Sequence, residues 1–83
     1  MKKLKVEEAY RLMNAEDVAR KDQILNVWKE KYRPYAKFNQ YWLTANGELY
    51  ISCHHGGQED SPLEAIRIKK IRGVEEMKEY DSN

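Results

Sequence analysis

The chain has a single cysteine, Cys53, so no disulfide can form within it. A lone thiol without an apolar leader is the pattern of a protein made and kept in the reducing cytosol. The opening Met1-Lys2-Lys3-Leu4-Lys5 is basic, but Val6-Glu7-Glu8 follow where a signal peptide needs an apolar run. Long hydrophobic stretches are missing as well. The longest apolar runs are triplets such as Tyr41-Trp42-Leu43, far short of the roughly 18 residues of a membrane span. The four glycines, at 47, 56, 57 and 73, fit neither the dinucleotide fingerprint nor the P-loop. Gly56-Gly57 reads as a turn rather than an anion nest. An excess of charge of one sign is lacking too: 15 basic against 14 acidic residues leave +1. That removes the globally basic footprint of a nucleic-acid binder and the acidic one of a nucleic-acid mimic.

What is there suits one small α+β domain spanning residues 1–83, with a frayed tail at 81–83. Hydrophobic residues make up 41% and charged residues 35%, so the core has to be compact and built from large side chains. Two Trp, six Tyr and one Phe meet that need, each ring burying roughly 150–250 Å².

Val6, Ala9, Tyr10 and Met13 fall on one face of a short helix over 5–13. Asn14 then reads as an N-cap, with Asp17 at the capping-box position, opening a long helix over Ala15–Tyr32. Val18, Leu25, Trp28 and Tyr32 form its stripe, widened by Ile24 and Val27, and Pro34 stops it. Asn46-Gly47 predicts a two-residue type I′ hairpin turn. In that register Trp42 faces Ile51 and Leu43 faces Tyr50. One face then carries Trp42, Thr44, Leu49, Ile51 and Cys53, and the other carries Tyr41, Leu43, Tyr50 and Ser52. Ser61-Pro62-Leu63-Glu64 has the cues of a helix start. The segment after it reads either as a C-terminal helix or as a short helical turn and a third strand, since Ile66-Arg67-Ile68-Lys69 alternates. Gly73 breaks the element in either reading.

Cys53-His54-His55 is the one cluster of soft and imidazole ligands. Neighbours on a strand point to opposite faces, and two ligands sharing a face do not complete a metal site. On the core face the Cys53 thiol would be inert rather than nucleophilic. No pair of carboxylates stands out for acid–base work. The sequence therefore implies no enzyme, no metal and no cofactor.

Two features point to binding. Tyr41, Leu43 and Tyr50 form an apolar, aromatic patch on the side of a hairpin that should be wet, so either the fold covers it or a partner does. A homodimer would also account for it. Arg67, Lys69, Lys70 and Arg72, joined by Lys29, Lys31, Arg33 and Lys37, could meet an anionic partner or simply form a solvated face. The leading expectation is a small non-catalytic protein-interaction module, a regulator, inhibitor or accessory protein with the aromatic patch as its anchor. The alternative is a winged-helix-like nucleic-acid-binding protein, with the hairpin as its wing.

Overall fold

A computed structural model describes residues 1–32, 36–55 and 62–71, with the side chains of 36–38 outside the description. The elements run β1 (Lys2–Leu4), α1 (Val6–Arg11), α2 (Ala15–Tyr32), β2 (Ala36–Leu43), β3 (Glu48–His55) and β4 (Pro62–Lys70). The strands form a four-stranded antiparallel sheet in the order β1-β2-β3-β4. The α+β reading holds. Of the two readings of the segment after residue 61, the strand forms, and the helix cues at Pro62–Glu64 yield to pairing with β3. β1 has no counterpart in the sequence reading, because three residues with one apolar side chain carry too little periodicity.

Both helices begin as their chemistry dictates. Asn14 Oδ1 accepts the Asp17 amide and Asp17 Oδ2 accepts the Asn14 amide, both at 2.9 Å. This reciprocal pair occupies two backbone donors that a helix start otherwise leaves unmade. α1 does the same with the Lys5 amide donating to Glu8 Oε1 at 2.9 Å. α2 buries Lys21, Leu25 and Trp28, at spacings of four and three residues, with Ile24 and Tyr32 packed beside them. Val27, expected in the stripe, is 62% exposed. Lys21 takes the inward position one turn before Leu25. Its ammonium donates to Tyr10 Oη at 2.6 Å, lies 4.9 Å from that ring's centre, and pairs with Asp22 at 2.7 Å. A buried cation is tolerated only with such partners.

The helices and sheet enclose a core of Leu4, Ala9, Leu25, Trp28, Tyr41, Leu43, Leu49, Ile51, Cys53, Ile68 and Ile71. Ala9, fully buried, lets α1 approach the sheet closely. Trp28 and Tyr41 are worth roughly 4–6 kcal/mol each at about 25 cal/mol/Å², before the entropy of ordering them is subtracted.

Polar contacts fasten α2 to β4 along its length. Asp17 pairs with Lys69 at 3.1 Å, and the Arg20 guanidinium donates to the Arg67 carbonyl at 3.3 and 3.4 Å. Tyr32 Oη donates to Glu64 Oε2 at 2.7 Å, beside a Lys31–Glu64 pair at 3.2 Å.

The hairpin differs from the sequence reading in one decisive respect. Gly47 N–H donates to the Thr44 carbonyl and Thr44 N–H to the Glu48 carbonyl, each at 3.0 Å. The Glu48 amide is diverted to Thr44 Oγ1 at 3.0 Å. The loop is therefore Ala45-Asn46-Gly47, a three-residue turn closed by a glycine bulge. Gly47 alone in it has positive φ, at 80°, whereas a type I′ turn needs two such residues. The extra residue moves β2 by one position. Trp42 faces Tyr50, Leu43 faces Leu49, and Tyr41 faces Ile51. A slip of one exchanges every side chain between faces. The expected faces of β3 stand, and those of β2 are reversed.

Candidate binding face

The corrected register brings one residue from every strand into a single line. Lys3 of β1 is opposite Trp42 of β2, Trp42 is opposite Tyr50 of β3, and Tyr50 is opposite Arg67 of β4. Their strand neighbours Leu4, Tyr41, Leu43, Leu49, Ile51 and Ile68 are buried on the helix side. The row therefore lies on the outer face, away from α1 and α2. It presents a cation at each end and two adjacent aromatic rings in the middle. Lys3 and Arg67 are exposed, and Trp42 and Tyr50 are half-buried.

Trp42 is held in place from below. Its indole Nε1–H donates to Ser52 Oγ at 2.7 Å, and Ser52 Oγ lies 2.7 Å from His54 Nε2. The Trp42 and His54 rings are 6.2 Å apart and tilted by 43°. Ser52 also reaches the Gln40 carbonyl at 3.5 Å. A serine hydroxyl has one proton, so it donates either to His54 Nε2 or to that carbonyl. The far shorter contact favours His54, which places the ring proton on Nδ1. Ser52 and His54 are each 1% exposed, and Nδ1 has no hydrogen-bond partner among the described residues. The network fixes the indole's rotamer, so the ring meets a partner already ordered.

Tyr50 has its own support. Its hydroxyl donates to Glu48 Oε2 at 3.0 Å, and this bond holds the phenol above its ordinary pKa while Arg67 pulls the other way. Glu48 is opposite Lys70. The charged side chains around the aromatic pair are thus Lys3, Arg67 and Lys70 against Glu48.

The patch expected from sequence is divided between the two faces. Tyr41 and Leu43 lie in the core, at 0% and 5% exposure, because the longer loop turns them inward, and only Tyr50 remains outside. Trp42, placed in the core by the two-residue turn, takes their position. The signal that could have found it is Gly47 as the bulge residue of a three-residue loop. Ser52 and His54, two apart on one strand, share a face for the same reason that Cys53 and His54 do not.

The basic group is dispersed as well. Arg67 and Lys70 are exposed, Lys69 is turned to the helix side and paired with Asp17, and Arg72 lies outside the described residues. Arg33 and the Gly56-Gly57 turn lie outside them too, as do Gly73 and the tail at 81–83.

Cys53 is fully buried, and burial pushes its thiol up. Among the described residues no three His, Cys, Asp or Glu side chains are grouped so as to hold a metal ion. Nor is any described helix long and apolar enough to cross a membrane. No family model, curated protein or solved structure matches the chain.

Proposed function

We propose that the chain is a small protein-interaction module without chemistry of its own, a cytosolic regulator, inhibitor or accessory protein. Its docking surface is the outer sheet face around Trp42 and Tyr50. The observation that carries this reading is their adjacency across the two central strands, on the side that the helices leave uncovered. Tryptophan, tyrosine and arginine are the residues on which interface energy concentrates, and here Arg67 completes such a set beside Tyr50. The rotamer of Trp42 is fixed in advance by Ser52, which lowers the ordering cost of docking. The nucleic-acid alternative draws less support. A wing projects from its helices, whereas both hairpin strands here are interior to the sheet, and the segment that follows them is a strand.

Photo-cross-linking tests the proposal. A benzophenone amino acid replaces Tyr50 in one variant and Val27, exposed on the opposite side of the molecule, in another. Irradiation in the producing cells should give a discrete protein adduct from position 50 and none from position 27. Equal labelling from both positions, or no adduct at 50, refutes the assignment.

A further inference from the structure

The row Lys3–Trp42–Tyr50–Arg67 has a symmetry that selects its occupant, and the selection rests on the docking face proposed above. With a cation at both ends, a second copy laid on the first about a twofold axis would set Lys3 of each against Arg67 of the other. Like charges in register oppose that pairing. The face therefore complements an anionic partner better than it complements itself.

The dimensions narrow the choice. Four strands in line span three inter-strand gaps of about 4.8 Å, close to 14 Å from the Lys3 backbone to that of Arg67. An extended peptide rises about 3.4 Å per residue and sends alternate side chains to the same side. Its residues i, i+2 and i+4 therefore face the sheet together, and i to i+4 also covers about 14 Å. We infer that the outer face binds an extended acidic segment of the partner protein. In the segment's pattern acid–x–aromatic–x–acid, the end carboxylates reach Lys3 and Arg67 and the central ring packs on Trp42 and Tyr50.

Single-stranded nucleic acid also stacks on aromatic pairs, but its affinity depends on many phosphate contacts. Glu48, hydrogen-bonded to Tyr50 at 3.0 Å, sets a carboxylate beside the platform where a continuous phosphate chain would run. A peptide with charge only at its ends avoids it. Trp42, pinned by Ser52, and Tyr50, tied to Glu48, present fixed surfaces to the central ring.

The test is fluorescence polarisation with synthetic, fluorescein-labelled peptides. The probe carries Glu-Thr-Phe-Thr-Glu between Gly-Ser flanks, and the control carries Lys-Thr-Phe-Thr-Lys. Binding of the acidic probe alone, weakening with added salt, is the expected result. Arg67→Glu should lower its affinity at least about tenfold while the circular-dichroism melt stays unchanged. Failure to bind up to about 1 mM, equal binding of the lysine control, or indifference to Arg67→Glu overturns the inference. Tighter binding of an oligothymidylate than of the acidic probe overturns it in favour of nucleic acid. The two readings fail separately. Cross-links at position 50 without peptide binding refute the acidic motif and keep the docking face. Peptide binding without cross-links does the reverse.

Discussion

Truncating Tyr41 and truncating Tyr50 should have opposite characters, although both tyrosines were expected on one face. Tyr41 is fully buried against Ile51, with its ring 6.4 Å from that of Tyr10 and its hydroxyl donating to Asn39 Oδ1 at 3.1 Å. Removing a large buried ring costs about 3–5 kcal/mol. At roughly 0.05–0.15 kcal/mol per residue the whole domain has only about 4–12 kcal/mol to lose. Tyr41→Ala should therefore unfold much of the population at 25 °C. Tyr41→Phe keeps the ring and loses the hydroxyl bond, for about 1 kcal/mol, so it stays folded and measurable. Tyr50→Ala loses a surface bond to Glu48 and some strand preference, about 1 kcal/mol in all. Urea denaturation followed by circular dichroism reads all three. The midpoint should be nearly lost for Tyr41→Ala and only modestly lowered for Tyr41→Phe and Tyr50→Ala. If Tyr50→Ala destabilises as much as Tyr41→Ala, the register is wrong, and the row of Lys3, Trp42, Tyr50 and Arg67 disappears with it.

Burial pushes the Tyr41 phenol up to about 12, whereas an unfolded tyrosine ionises near 10. The folded state thus keeps a proton that the unfolded chain gives up, so stability should fall as pH rises from about 10 to 12, by about 2–3 kcal/mol in total. Urea midpoints across that range should fall less steeply in Tyr41→Phe, and an unchanged slope refutes the assignment. Gly47→Ala places a β-carbon at φ 80°. It should cost about 1–2 kcal/mol, read as a lowered thermal midpoint, with Gly47→Asn losing less. Asn14→Ala removes the cap on the Asp17 amide. It should cost about 1 kcal/mol, a drop of about 4–8 °C in Tm by circular dichroism.

Local chemistry was the legible part of this fold. The bounds of α2 follow from Asn14, Asp17 and the spacing of Leu25 and Trp28, and the structure reproduces the Ala15–Tyr32 span. The hairpin's position and the burial of Leu49, Ile51 and Cys53 follow from the glycine and the alternation of β3. Three things were hidden, each for a physical reason. β1 is held by its partner rather than by its own pattern. β4 carries a helix-start signature that tertiary pairing overrides, and the bulge between Leu49 and Tyr50 lets Ile68 enter the core out of step with Ile66. The faces of β2 hinged on whether Asn46-Gly47 is the whole loop or its second half. Asn46 is permitted positive φ in either case, so composition does not decide, and Thr44 does so by taking the Glu48 amide on its side chain. The candidate binding face was illegible for the same reason: a single residue of loop length exchanged Trp42 for Tyr41.

The hydrogen bonds from Arg20 to the Arg67 carbonyl lie on β4, the last strand in the sheet's order. A terminal strand offers its spare backbone groups to any extended chain that drifts past, and ribbons and fibrils grow by accepting that offer. Here a guanidinium from the neighbouring helix already occupies one of those acceptors, so a newcomer must evict a positive charge before it can zip on. In a crowded cell, that small obstruction favours a discrete, soluble particle over runaway polymerisation.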